Sequence, residues 1–191
     1  MKRAAIAIAV ISALWSIRAI QGDDKVELNL GDKAPEFESQ DDAGQPWKST
    51  DHIGKKIVVV YFYPADCTGG CTRQAQGYRD DMEALAKKGV EVVGVSGDTV
   101  DNHKLFKKKE HLNFTLLADD TGAVAKKFGV PTGAGGEAKT KIDNQEIVLK
   151  RGATEKRWTF AIGKDGKIIY KNTEVKPAED SKAILKLVAD Q

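Results

Sequence analysis

The chain has 191 residues, 41% of them hydrophobic and 30% charged, with 30 Lys and Arg against 28 Asp and Glu. That is ordinary composition for a soluble chain, and the length suits one domain with a full hydrophobic core. A balance this close to neutral, with lysines interleaved among acids, gives no electrostatic footprint for a phosphate backbone, so nucleic-acid binding is not expected.

Met1-Lys2-Arg3 is a basic cap on the apolar run Ala4 to Trp15, AAIAIAVISALW, which contains one polar residue, Ser12, and is interrupted after it by Arg18. The run is well short of the ~20 apolar residues of a spanning helix. A basic cap followed by a short apolar stretch is the pattern of a secretory signal peptide. Residues 1–22 are therefore expected to direct export to the periplasm or another extracytoplasmic space, with cleavage after Ala19 or Gly22. An uncleaved N-terminal anchor and a buried structural helix are the alternatives. Residues 1–22 hold three basic residues and no acidic one, so 23–191, the expected folded domain, carries 27 basic against 28 acidic residues.

The stretch 23–54 is polar and turn-rich, with GDKAPEF at 31–37, DDAGQPW at 41–47 and HIG at 52–54, which predicts short edge strands between turns. Lys56 to Tyr63, KIVVVYFY, is a nearly continuous β-branched and aromatic run, as expected of a strand buried on both faces, and Pro64 ends it. Ala75, Tyr78, Met82 and Leu85 form a helical stripe over 70–88 with Gly89 as its stop. Val90 to Val95 predicts a second buried strand, Asp101 to His111 a charged helix, Phe114 to Leu117 a short strand, and Gly122 to Phe128 a helix closing on Gly129. The alternation points to an α/β layer fold. Pro131 to Lys141 is glycine-rich and polar and is expected to be a loop. Two successive hairpins are expected after it: Gln145 to Lys150 with Arg157 to Ile162 around GATEK, then the latter with Lys167 to Tyr170 around Gly163-Lys164-Asp165-Gly166. A last helix begins after Pro177, with Ile184, Leu187 and Val188 on one face.

Both cysteines lie in DCTGGCT (66–72), where a buried strand hands over to a helix. Loops at the carboxyl ends of such strands are the usual place for a site in α/β sheets. Two cysteines four apart cannot staple a domain of this size. If Thr68 is the N-cap, Cys71 is the third helical residue, among unpaired backbone N–H groups at the positive end of the helix dipole, and Cys67 lies just outside the helix. Those surroundings favour a thiolate at Cys71, the reactive form of the side chain, and make it the better nucleophile candidate.

YFYPADCTGGCTRQAQGYRD (61–80) resembles the active-site segment of peroxiredoxins, most closely the bacterioferritin-comigratory-protein or PrxQ subgroup. The pattern P-x-x-x-T-x-x-C falls on Pro64, Thr68 and Cys71. The likeness extends from GDKAPEF through LNFTLLADD (112–120) and FGV (128–130) to RWTFAIGKDGKI (157–168). It implies a thioredoxin-like fold, a central mixed β-sheet flanked by helices with an N-terminal β extension. It also implies thiol-dependent reduction of hydrogen peroxide and alkyl hydroperoxides without metal or organic cofactor. By the same resemblance Cys71 corresponds to the peroxidatic cysteine, Thr68 to the hydroxyl that orients peroxide and thiolate, Pro64 to the ring that shields the site from water, and Arg157 to the arginine beside the thiolate. The N–H groups of Gly70 and Cys71 would bind the peroxide oxygens. A thioredoxin-like protein or a small thiol would return Cys71 to its reduced form, and the subgroup implies a monomer.

Two positions depart from the subgroup. Gln76 stands five residues after Cys71, where many relatives carry a resolving cysteine, and Gly69 stands where proline is usual. Cys67 is then the remaining candidate resolving thiol. It is set against a one-cysteine cycle with an external reductant, which is the favoured reading. The rival function is an exported thioredoxin-fold Cu(I)-binding protein using the Cys67/Cys71 C-x-x-x-C pair, as in Sco-type copper chaperones, since soft thiolates select Cu(I). Pro64 and Thr68 have no purpose in that reading.

Overall fold

The computed structural model describes residues 26–142 and 144–189; the expected signal peptide or anchor at 1–22 lies outside the described residues. The elements are β1 (Glu38–Asp41), β2 (Pro46–Lys48), β3 (Ile57–Phe62), α1 (Gly69–Lys87), β4 (Val90–Ser96), α2 (Val100–Glu110), β5 (Thr115–Ala118), α3 (Ala123–Lys127), β6 (Thr132–Ile142), β7 (Gln145–Glu155), β8 (Trp158–Ile162), β9 (Ile168–Asn172) and α4 (Asp180–Ala189). Seven strands form one mixed sheet in the order β2-β1-β5-β4-β3-β8-β9. The β3/β4 and β4/β5 pairs are parallel, and β8 and β9 extend the sheet antiparallel on the other side of β3. The hairpin β1/β2 is the expected N-terminal extension and pairs antiparallel with β5. This is a thioredoxin-like α/β fold.

The sequence of β3 explains its central place. All six residues of IVVVYF are buried, and side chains alternate across the sheet with period two. Val59 and Tyr61 join a core with Ala75, Tyr78 and Leu85 of α1 and Ile184 and Val188 of α4. Val58, Val60 and Phe62 join the opposite core with Val124 and Phe128 and with Phe37 and Trp47 of the N-terminal segment. The α1 stripe thus faces the sheet as its periodicity predicts, and Gly89 at φ +71° supplies the left-handed stop.

Pro131 to Lys141 is not a loop. It forms β6, an eleven-residue strand paired in register with β7 from Thr132↔Glu155 to Ile142↔Gln145. The first expected hairpin is therefore wrong in its partner: β7 pairs with β6, and β8 pairs with β3 and β9. The small and charged residues of β6 give little strand signal by themselves, and pairing with β7 supplies it, with Lys139–Glu146 (3.6 Å) and Lys150–Glu137 (3.4 Å) across the strands. Its root is fixed on the main sheet, where Gly152 N donates to Gly97 O at 2.9 Å. A Cβ at Gly97 would lie 2.2 Å from Ala153 O, so glycine is needed for this backbone approach.

Candidate active site

The chain leaves β3 at the carboxyl edge of the sheet and reaches α1 through residues 63–68. Tyr63 N still bonds Val95 O at 3.1 Å. Half-buried Pro64 then turns the chain away from the sheet. The next residues go inward. Asp66 is fully buried; its N–H donates to Asp98 Oδ2 (2.9 Å), its Oδ1 accepts from Tyr63 OH (2.7 Å) and its Oδ2 pairs with His103 Nδ1 (2.8 Å). Burial disfavours an imidazolium at His103, but the Asp66 and Asp98 carboxylates outweigh it and hold the ring above its ordinary 6.5. Cys67 follows at φ +58°, a left-handed conformation uncommon for a side chain of this kind. The Asp66 anchor beneath the loop holds that turn in place.

Thr68 is at the N-cap with φ −91° and ψ 150°, but its side chain makes no cap hydrogen bond. The hydroxyl donates to Ala65 O at 3.0 Å instead, closing the loop on itself. The capping expectation is correct in position and wrong in partner. Thr72 N→Thr68 O (2.8 Å) is the first turn of α1, so the N–H groups of Gly69, Gly70 and Cys71 have no intrahelical acceptor.

Cys71 is the third helical residue, 1% exposed. Its Sγ accepts from Arg157 Nη2 at 3.1 Å, and Arg157 Nη1 donates to Gln74 Oε1. Arg157 comes from the junction of β7 and β8, 86 positions away. Gly70 faces the same guanidinium: a Cβ there would lie 3.4 Å from Arg157 Nη2 and 3.8 Å from Pro177. Beside Arg157 a cleft of about 670 Å³ opens between Pro131, Lys156 and Trp158 and the segment Thr173 to Lys176.

Cys67 has other neighbours. It is half-buried, and burial together with the Asp66 carboxylate pushes its thiol up to about 11, against the opposing effects of Lys109 and the Thr140 hydroxyl. Thr140 belongs to β6 and accepts from Lys109 Nζ at 2.7 Å, so the hairpin covers this cysteine. Gln76, at the position of the subgroup's resolving cysteine, donates to Glu110 Oε2 at 2.8 Å.

The structure thus brings Thr68, Gly70, Cys71 and Arg157 together at one helix start, with Pro64 at the loop's entry. Sequence reading missed Gln74, Asp66 and His103. Gln74 had a signal, since three residues along a helix from Cys71 is the same face. Among the described residues no group of three or more His, Cys, Asp or Glu side chains is arranged to hold a metal ion, so the copper reading gains no third ligand.

A cysteine paired with a guanidinium, at the first helical turn after the central strand of a thioredoxin-like sheet, defines a thiol-redox protein of that fold. The AhpC/TSA family matches residues 30–171. The chain is 48% identical over 106 residues to a chloroplastic peroxiredoxin Q of Sedum lineare, covering 56% of each. To a protein of Coxiella burnetii described as a peroxiredoxin bcp it is 39% identical over 143 residues, 75% of this chain and 87% of that one. The matches span about half the length of the plant relatives, 56% for Sedum lineare and 49% for Populus jackii. Among solved structures, peroxidoxin BcpB of Mycobacterium tuberculosis superposes with a TM-score of 0.71 at 28% identity, over 86% of this chain and 98% of that one. Peroxiredoxin Q of Xanthomonas campestris gives 0.67 at 25%, over 86% and 96%. The chain belongs to the AhpC/TSA family, in its peroxiredoxin Q-like subgroup.

Proposed function

We propose that this protein is a thiol-dependent peroxidase that reduces hydrogen peroxide and alkyl hydroperoxides through a sulfenic acid at Cys71. The observation that carries the reading is the Arg157 Nη2 to Cys71 Sγ contact at 3.1 Å, at a helix start with free N–H groups. The thiolate of Cys71 attacks one peroxide oxygen; the S–O bond forms as the O–O bond breaks. The sulfur is oxidised by two electrons, and the departing hydroxide or alkoxide takes a proton and leaves as water or alcohol. In this reading Arg157 and the N–H groups of Gly70 and Cys71 meet the charge that develops on the departing oxygen. Thr68 orients peroxide and thiolate, its hydroxyl still able to accept while it donates to Ala65 O. Pro64 shields the loop from water.

An external thiol, from a thioredoxin-like protein or a small molecule, then condenses with the sulfenic acid, releasing water and leaving a mixed disulfide that a second thiol reduces. Cys67 is not the resolving thiol in this reading, because its surroundings keep it protonated and Thr140 covers it. The protein acts as a monomer, and the basic and apolar order of residues 1–22 supports export. Stopped-flow mixing of reduced protein with one equivalent of hydrogen peroxide, followed by dimedone trapping and mass spectrometry, tests the chemistry. A dimedone adduct at Cys71 with Cys67 free is expected. An unreacted Cys71 would refute the peroxidase reading, and loss of two hydrogens in the peptide carrying both cysteines would refute the one-cysteine cycle.

A further inference from the structure

Behind Arg157 the hydrogen bonds continue into α4. Gln74 is fully buried and uses both ends of its amide: Oε1 accepts from Arg157 Nη1, and Nε2 donates to Asp180 Oδ2 at 2.7 Å. Asp180, in the first turn of α4, is 3% exposed, and the same Oδ2 accepts from Tyr78 OH and Thr159 Oγ1, each at 2.8 Å. Its Oδ1 has no hydrogen-bond partner among the described residues. Three donors on one oxygen fix the carboxyl group from α1 and β8 together.

The consequence lies in the shape of a glutamine amide, whose oxygen and nitrogen ends occupy nearly the same space. Nothing in packing alone decides which end faces Arg157. Asp180 Oδ2 decides it, because an accepting oxygen requires the NH₂ end and so turns Oε1 toward the guanidinium. With the amide reversed, an N–H donor would face the N–H donors of Arg157, and Nη2 would lose the support that aims it at Cys71. We propose that Asp180 is a positioning residue for the thiol chemistry: through the Gln74 amide it holds the Arg157 guanidinium on Cys71. This rests on the reading of Cys71 as the reacting thiol.

A direct charge effect would act in the opposite sense, which makes the proposal testable by direction. The groups facing Cys71 are Arg157, from the junction of β7 and β8, and Tyr61 of β3, and Tyr61 is in turn close to Asp66 of the loop and to Asp180 of α4, which accepts from Tyr78 OH of α1. Removing a negative charge from this set would ease thiolate formation, whereas releasing Arg157 would hinder it. The measurement is the pH profile of iodoacetamide alkylation at Cys71, which involves no peroxide and so stands or falls separately from the peroxidase reading. Asp180→Ala should move the profile to higher pH and slow single-turnover peroxide oxidation by about ten-fold, less than complete loss of an oriented donor costs. Asp180→Asn should restore most of both, because its carbonyl oxygen can take the place of Oδ2. Ser181→Ala, which removes the separate α4 to α1 bond from Ser181 Oγ to Asp81 Oδ2 (2.8 Å), should leave the profile unchanged. A shift to lower pH, an unmoved profile, Asn behaving as Ala, or Ser181→Ala matching Asp180→Ala would each overturn the proposal. Should Asp180→Ala fail to fold, Gln74→Met removes the middle link alone and must move the profile upward; an unchanged profile there overturns the proposal equally.

Discussion

Replacing Arg157 by methionine removes the cation and leaves a side chain of similar length. Two bonds disappear, Nη2 to Cys71 Sγ at 3.1 Å and Nη1 to Gln74 Oε1. The first is charge-assisted on a nearly buried sulfur, and hydrogen bonds to charged groups are worth about 1.5–3 kcal/mol net. At about 1.4 kcal/mol per factor of ten, loss of that interaction from the transition state slows peroxide oxidation by about ten- to a hundred-fold. The second leaves Gln74 Oε1 without a donor and costs about 1–3 kcal/mol of stability, so denaturant unfolding must accompany the kinetics to show that the fold persists. The assay is single-turnover oxidation by hydrogen peroxide at fixed pH, with dimedone trapping to count sulfenic acid at Cys71. Arg157→Lys should recover only part of the loss, because one ammonium cannot serve sulfur and amide together in the fork geometry of a guanidinium. Oxidation of Arg157→Met at the parent rate, in a folded protein, would remove Arg157 from the chemistry.

Thr68→Val should slow turnover and cost about 1 kcal/mol of stability through loss of the bond to Ala65 O, with Thr68→Ser keeping most of both in the same kinetic and denaturant assays. In Cys71→Ser the remaining thiol should label slowly at neutral pH, its rate climbing toward pH about 11 as burial and the Asp66 carboxylate require; rapid neutral labelling would contradict that environment. Glu155, 1% exposed, is held well above its ordinary 4.5 by burial and then by the neighbouring Asp119 carboxylate. The unfolded chain releases this proton first, so stability falls as pH rises above about 4.5 and through the folded value. Glu155→Gln should lessen that fall as the pH is raised above about 4.5 in thermal melts. N-terminal sequencing of the protein from an extracytoplasmic fraction should find a start after Ala19 or Gly22, and an intact Met1 there would favour the anchor.

The sheet was legible in the sequence where the side chains themselves fix the environment. KIVVVYFY has no polar face, so it can only be a strand covered on both sides, and the stripe Ala75, Tyr78, Leu85 can only be a helix lying on it. β6 was not legible, because TGAGGEAKTKI has few residues of strand character and its order comes from β7 and from the backbone contact at Gly97. Around Cys71 the local half of the site was readable as a strand, a turn and a helix start. Arg157 came from family resemblance, since nothing in local pattern joins residues 86 apart. Asp66, His103 and Asp180 look like surface residues in a sequence, and their burial is visible only once each polar atom is traced to its partner.

The two cysteines differ because the chain reverses between them. Asp66 goes down to Tyr63 and His103, Cys67 takes the left-handed turn that this requires, and Gly69 and Gly70 then start a helix in which Arg157 reaches Cys71 Sγ. A carboxylate is thus the near charge for one thiol and a guanidinium for the other, although only four positions separate them. For Cys67 to resolve a sulfenic acid at Cys71, it would have to lose a proton beside Asp66, leave the Thr140 hydroxyl and approach through the turn closed by Thr72 N and Thr68 O. Each requirement opposes the local electrostatics or breaks a bond. On the proposed reading, reduction therefore comes from outside, and the cleft beside Arg157, lined by Pro131, Lys156 and Trp158, is the opening through which a reducing thiol would approach.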